Sequence, residues 1–349
     1  MKDRDRLSPI LIVGPSWVGD MVMAASLVSV LRERWPERPI DMLAPPSSLP
    51  IATLIPGIER TIALALGHGE LGLFDRWRIG RGLSARNYGT AIILPRAFKA
   101  AIAPFAARIP ERIGYAAEGR SILLTDARPD SARKSARTID RFVALAGPRD
   151  APPVSPRPVL EQPRAAGNAL ETELQLDLSL PSIGFCPGAE YGPAKRWPAE
   201  KFAALARIAH QAGYRVRLFG GPRDKDITGK IAKEAGVPLD DLAGRTSLVD
   251  AARLLARCDV VVSNDTGLMH VAGALDRPLV VLYGSSSEVM TPPTAPNAEA
   301  VFLDLDCRPC FKRECPLGTL ACLEGIMPDQ VFAAVRRVAS RADQSVGLS

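Results

Sequence analysis

The chain has 349 residues, 47% of them hydrophobic and 23% charged, with a formal net charge of +6. That length suits two domains of ordinary size, and the composition excludes a disordered or collagen-like chain. No apolar run approaches the roughly 20 residues of a membrane span, and no block of consecutive Lys and Arg marks a nucleic-acid tail.

The positive balance points to an acidic partner: nucleic acid, an anionic membrane surface or a phosphorylated substrate. The start, MKDRDRLSPILIVG, is a poor signal peptide: its apolar stretch is short and turns at once into a glycine-bearing loop. A cytoplasmic protein with room for peripheral membrane contact is the expectation.

ILIVG (10–14) reads as a buried strand, and MVMAASLVSVLRERW (21–35) as a helix. Between them GPSWVGD (14–20) forms a tight turn that puts Asp20 among the free N–H groups of a helix start. Asp20 is there either to cap the helix or to do chemistry. IDMLAP (40–45) and AIILP (91–95) are further parallel-strand candidates. Arg96 and Lys99 lie just past the second of these, and Arg108, Arg112 and Arg120 follow. Together they would make a basic wall for an anionic acceptor, although each alone reads as solvated surface charge. Residues 151–181 begin proline-rich, which reads as a linker, and their middle has the pattern of one helix.

Strands return at SIGFCPG (182–188), VRLFGG (216–221), DVVVSND (259–265) and LVVLYG (279–284), alternating with helical stretches at 199–213 and 248–258. This βαβα order predicts doubly wound parallel sheets in both halves. Three loops of the second half carry candidate chemistry. PGAEYGPAKRWP (187–198) combines glycines, among them Gly188, with Lys195 and Arg196, a pattern suited to a phosphate. LFGGPRDKD (218–226) places Asp224 where it can contact a ribose or cap the next helix. SNDTGLMHVAGAL (263–275) ends a strand at Asp265 and Thr266 and opens a helix at Gly267. Thr266 and His270 share one helical face there, as an anion site or as a plain cap with a core histidine. No GxGxxG or GxxxxGK[ST] is present, so dehydrogenase and P-loop signatures are missing.

Of six cysteines, Cys186 and Cys258 sit beside apolar segments and read as buried thiols. Cys307, Cys310, Cys315 and Cys322 cluster, but their spacing is not that of a zinc ribbon, and reduced thiols or a redox-sensitive disulfide are the main alternatives. Asp304 and Asp306 form an Asp-x-Asp pair to which no metal role is given. The helix at 329–342 has an apolar stripe that must pack on something.

GPSWVGDMV, PGAEYGPAKRWP and SNDTGLMHVAGAL with RPLVVLYG resemble the lipopolysaccharide heptosyltransferases of glycosyltransferase family 9. The resemblance runs over residues 8–340, in the family's order. The WVGD and GAEYGPAKRWP forms are closest to the branch that adds heptose to heptose. The resemblance implies an α/β, GT-B fold, with two Rossmann-like doubly wound domains facing across a cleft. Residues 1–165 would bind the acceptor, 182–327 the nucleotide sugar, and the helix in 328–349 would pack back on the first domain. The implied reaction moves L-glycero-D-manno-heptose from ADP-heptose to a heptose of the phosphorylated lipid A–Kdo–heptose inner core, with inversion.

In that reaction Asp20 takes the catalytic-base role. Lys195, Asp265, Thr266, Gly267 and His270 hold the donor, with Gly188 in the phosphate loop and Asp224 at the ribose. Arg96, Lys99, Arg112 and Arg120 become contacts for the phosphate-rich acceptor. No cofactor is required; a divalent cation is compatible with the reaction but no bound site is expected. Peripheral contact with the inner face of the inner membrane is expected, and no nucleic-acid partner. Relatives often carry His where this chain has Thr319, which weakens a metal site further. A sister enzyme acting on Kdo or a later heptose, and a nucleotide-binding protein without transfer activity, are the rival readings.

Overall fold

The structure is a computed structural model that describes residues 8–66, 70–130, 137–149, 152–163 and 169–346. It divides into two compact units, Met1–Glu161 and Gln162–Ser349. The division falls four residues before the expected end of the first domain at 165.

The first unit contains β1 (Ile10–Val13), helix α1 (Val18–Arg34), β2 (Ile40–Ala44), β3 (Arg60–Ala63), α2 (Leu73–Leu83), β4 (Thr90–Ile93), β5 (Glu111–Tyr115), β6 (Asp126–Arg128) and α3 (Thr138–Ala144). Its six strands are ordered β3-β2-β1-β4-β5-β6, and every pairing is parallel. β1, β2 and β4 are wholly buried. A parallel strand covered on both faces needs an unbroken apolar run, which is why these were visible in sequence. β3, β5 and β6 read RTIA, ERIGY and DAR. They lie toward the sheet's edges, where neither an apolar run nor clean alternation is required, so periodicity misses them.

β1 pairs with β2 on one side and β4 on the other, with Val13 between Leu43 and Ile93. The strand order reverses at this pair, and open α/β sheets bind ligands at the carboxyl ends beside such a reversal. Gly14 is needed there: a Cβ would lie 2.7 Å from the Met21 side chain and 2.8 Å from Met42 sulfur.

The second unit contains β7 (Ser182–Cys186), α4 (Ala199–Gln211), β8 (Arg215–Leu218), α5 (Lys225–Ala235), β9 (Leu239–Asp241), α6 (Leu248–Leu255), β10 (Val260–Asn264), α7 (Gly267–Ala274), β11 (Leu279–Leu282), β12 (Ala298–Val301) and α8 (Pro328–Val346). The order is β12-β11-β10-β7-β8-β9, again parallel throughout. The reversal falls between β7 and β10, where Cys186 lies beside Ser263. Cys186 and Cys258 are buried and unpaired, and burial raises the Cys258 thiol to about 11.

Two connections needed the structure. The segment after the proline-rich linker does form a short helix, Ala169–Glu173. It is tied down by buried Glu171, which accepts from Arg253 and Arg257 at 2.5 Å each. Helix α8 also finds its partner in the structure. Its stripe Val331, Ala334, Val335 and Val338 is fully buried in the second unit's own core, with Phe185, Trp197 and Phe202, and α8 lies on α4, β10, β11 and β12. The i, i+3, i+4, i+7 spacing supplies an apolar face, and the sheet of its own unit takes it.

Candidate active site

In the first unit the chain leaves β1, turns through residues 14–17 and enters α1. Trp17 occupies the cap position without a side-chain capping bond, and Asp20 sits in the first turn. The Asp20 carboxylate has no hydrogen-bond or ion-pair partner among the described residues. Capping is therefore not its role. Burial pushes its pKa from the ordinary 3.8 up to about 6, against the opposing charge of Arg141. An ionisable carboxylate with a free oxygen and a pKa close to neutral is what proton abstraction requires.

Arg141 comes from α3, which packs on α1. Its guanidinium lies over the Tyr115 ring at 5.0 Å and donates to Asp130 at 2.8 Å. Asp130 also pairs with Arg96 at 2.5 Å. Arg96 thus reaches the surroundings of Asp20 through a shared acid. Neither Asp130 nor Arg141 stands in a recognisable motif, and sequence reasoning passed over both.

The expected basic wall divides. Arg120 is fully buried and clamps the carboxyl ends of β4 and β5, donating from Nε to the Tyr115 carbonyl at 2.8 Å and from Nη1 to the Pro95 carbonyl. Its Nη2 is a buried donor with no partner among the described residues. Burial first, and Arg96 second, lower its pKa to about 10. Lys99 donates to the Glu70 carbonyl at 2.8 Å. Arg112 does not join the group. It is the second residue of β5, beside Ala91 near the start of β4, and so lies toward the amino ends of the strands. Its Nε donates to the Leu123 carbonyl at 2.7 Å and its Nη1 to the Ile109 carbonyl. Those carbonyls explain the arginine structurally and remove it from the Asp20 cluster.

In the second unit buried Asn264 joins the two loops at the reversal. Its Nδ2 donates to the Pro187 carbonyl at 2.7 Å, and its Oδ1 accepts from the Trp197 N–H at 3.1 Å. Trp197 is fully buried, and its indole donates to the Ile326 carbonyl at 3.2 Å. With both ends of loop 187–197 held, Lys195 Nζ meets Asp265 Oδ2 at 2.5 Å and lies 5.2 Å from the Tyr191 ring centroid.

Thr266 caps α7, accepting from the Met269 N–H at 3.5 Å, which leaves the helix start beside the Lys195–Asp265 pair. His270 is buried and its Nδ1 lacks a partner among the described residues. Burial lowers its pKa to about 4, so the ring is neutral at pH 7. A neutral histidine presents one donor and one acceptor.

Asp224 closes its own turn and makes no side-chain capping bond to the next helix. Its Oδ2 accepts from the Gly221 N–H at 2.9 Å, closing the turn. Its other oxygen lies where a Cβ on Gly188 would sit, and a Cβ on Gly220 would fall 2.7 Å from Asp224 Cβ. Gly188 and Gly220 are glycines because Asp224 occupies their side-chain space. Gly188, Lys195, Asp224, Asp265, Thr266, Gly267 and His270 therefore gather along one edge, at the carboxyl ends of β8, β7 and β10. Sequence missed two neighbours, Ser285 and Ser286, whose buried hydroxyls have no partner among the described residues. Small residues after a strand carry no signal beyond "turn".

The four C-terminal cysteines are unpaired and line one cavity of about 20 Å³ with Ala194 and Ser285. Backbone N–H groups, led by that of Leu320, lower the Cys315 thiol, whereas burial and the other thiols raise Cys322. No group of three or more His, Cys, Asp or Glu among the described residues is disposed to hold a metal ion. Asp304 and Asp306 are exposed, past the end of β12.

The sequence model of glycosyltransferase family 9 (heptosyltransferase) matches residues 76–321. The chain is 39% identical to lipopolysaccharide heptosyltransferase 2 of Salmonella typhimurium, over 95% of this chain and 98% of that protein. It is 38% identical to the Escherichia coli protein of the same name, over 93% and 96%. The solved structure of E. coli ADP-heptose LPS heptosyltransferase II superimposes with a TM-score of 0.84 at 35% identity, over 96% of this chain and 99% of that one.

Proposed function

Because the chain belongs to glycosyltransferase family 9, the heptosyltransferases, we propose that it transfers L-glycero-D-manno-heptose from ADP-heptose to a heptose of the lipopolysaccharide inner core. The observation that carries this reading is the unpartnered Asp20 carboxylate, with its pKa raised to about 6, at the strand-order reversal of a Rossmann-like sheet. The high identity to proteins named heptosyltransferase 2 supports heptose, rather than Kdo, as the acceptor sugar.

In the mechanism, the acceptor hydroxyl oxygen attacks the anomeric carbon while Asp20 takes its proton. The bond from that carbon to the phosphate oxygen breaks, and ADP leaves with the electron pair. A single displacement inverts the configuration. The departing diphosphate needs charge neutralisation rather than a proton. Lys195 supplies a cation, and the first N–H groups of α7 add the positive end of a helix. Asp265 holds Lys195 in place at 2.5 Å. Neutral His270 adds a hydrogen bond without competing charge. Asp224 receives the ribose, and Gly188 leaves room for that carboxylate. Arg96 meets acceptor anions, and buried Arg120 holds the Pro95 carbonyl beside it.

No step requires a metal ion, and EDTA is expected to leave turnover unchanged. The lipid-borne acceptor places the reaction at the cytoplasmic face of the inner membrane. The deciding experiment measures ADP release from ADP-heptose with truncated core acceptors. Turnover is expected with acceptors ending in heptose. Turnover only with Kdo-terminated acceptors would reassign the enzyme to the sister activity, and no ADP release from any acceptor would end the proposal.

A further inference from the structure

The first unit exposes one concentrated apolar patch on α2 and its neighbour. Phe74 is 76% exposed and Trp77 47%, with Leu71, Leu73 and Phe105 also exposed. Phe74 and Trp77 are three apart and share a helix face. The Trp77 and Phe105 rings are 6.3 Å apart, so the helical face continues into the segment Ile102–Ala106. Large aromatics on an 11-residue surface helix are costly to hydrate. Nothing in unit 1's own core explains them, because α2 already buries Arg76, Gly80 and Leu83 on its other side.

Cations surround the patch. Arg78 is 70% exposed and pairs with Asp75 at 2.9 Å, and Arg81 lies exposed four residues after Trp77. Arg108 is exposed just past Phe105, and the Arg112 guanidinium lies over the Phe105 ring at 5.5 Å. At the start of α2, Lys99 Nζ donates to the Glu70 carbonyl and Arg76 Nε to the Leu71 carbonyl at 2.8 Å. These bonds pin the apolar end of the patch to the carboxyl edge of the sheet, the edge that carries Asp20 and Arg96. Glu70, Asp75 and Glu111, with Glu118 at the Phe98 N–H, stand against Arg76, Arg78, Arg81, Lys99, Arg108 and Arg112. Aromatic rings with a basic margin match the headgroup boundary of an anionic bilayer. Among the described residues no helix is long and apolar enough to cross a membrane, so contact would be from the side.

We propose that Phe74, Trp77 and Phe105, with Arg78, Arg81 and Lys99, form the surface by which the first unit lies on an anionic lipid bilayer. The inference rests on the reading of this unit as the side that takes a lipid-borne acceptor. It adds where the contact is made. A bilayer contact on this flank presents the Asp20 edge to sugars projecting from the lipid, and rings inserted at the interface anchor without a spanning segment.

The test uses the full chain and vesicles of phosphatidylethanolamine with phosphatidylglycerol, against vesicles of phosphatidylcholine alone. Wild type is expected to float with the anionic vesicles and to show a blue shift of Trp fluorescence. Phe74→Ser/Trp77→Ser is expected to partition about tenfold less, as is Arg78→Glu/Arg81→Glu. ADP release with a soluble, lipid-free acceptor is expected to be unchanged in both variants, and to fall when the same core is carried on lipid in vesicles. Wild type that stays off anionic vesicles, or variants that bind as wild type does, would overturn the proposal. So would a Phe74→Ser/Trp77→Ser protein that binds vesicles normally but shifts from dimer to monomer in sedimentation velocity, since a second copy would then be the occupant. Vesicle binding is read without turnover, so failure of the heptosyltransferase reading and failure of this one are separable.

Discussion

Replacing Asp20 with Asn is expected to stabilise the protein while abolishing transfer. Burial raises the carboxyl pKa from 3.8 to about 6, so the folded state holds the proton more tightly than the unfolded chain does. Below pH 4 both states are protonated and the group is neutral in its effect. As pH rises from 4 to 6 the unfolded chain ionises first, and the fold loses stability. The pKa displacement corresponds to about 3 kcal/mol, and water reaching the partly exposed carboxylate trims this to about 2 kcal/mol. Asn removes the penalty. Urea unfolding of wild type and Asp20→Asn should therefore give a difference near zero at pH 4 and about 2 kcal/mol in favour of the variant at pH 8. Turnover should drop by about 10² to 10⁴, the usual contribution of a positioned base, with donor binding retained. The wild-type rate should fall as pH drops through about 6. A stability difference independent of pH, or a less stable variant at pH 8, would show that a partner holds the carboxylate. Undiminished turnover would sink the base assignment.

Lys195→Ala leaves Asp265 buried without its 2.5 Å partner; donor KM should rise at least tenfold, with a stability loss of about 3 kcal/mol by thermal or urea unfolding. Gly188→Ala puts a methyl into the Asp224 carboxylate, so ADP affinity by calorimetry should fall while the fold survives at a cost of about 1–3 kcal/mol. His270 behaves oppositely to Asp20. With its pKa lowered from 6.5 to about 4, it stays unprotonated in the fold while the unfolded chain takes up a proton, so it costs stability as pH falls from 6.5 to 4. His270→Gln should remove that acid-side loss, of about 3 kcal/mol, in a pH series of unfolding curves. Metal analysis of purified protein checks the cysteine cluster: less than stoichiometric metal is the expected result.

Much of the site was legible because its parts are local. A buried parallel strand such as ILIV announces itself by its apolar run, and the loop after it must lie at the sheet's carboxyl edge. GPSWVGD, PGAEYGPAKRWP and SNDTG each sit directly after such a run, so element order alone put Asp20, Lys195 and Thr266 at the carboxyl edges of their sheets. The strands RTIA, ERIGY and DAR, at or next to the sheet's edges, were not legible, because the pattern that marks a strand is burial and they are only partly buried.

The state of each charged group was decided by the tertiary structure. Charge alone grouped Arg112 with Arg120, yet one ties down local carbonyls toward the strands' amino ends and the other clamps the carboxyl edge. The apolar period of α8 required a partner but did not say which sheet would supply it. Asp20 was an acid at a helix start in sequence; only the folded surroundings show that it caps nothing, faces the charge of Arg141 and holds its proton up to about pH 6. The Lys195–Asp265 and Asn264–Pro187 contacts span 70 and 77 residues. Period and turn chemistry act over a few residues, so sequence determined the elements and the loops that carry function. Desolvation and pairing act across the fold, so only the tertiary structure decided which of those side chains remain free to react.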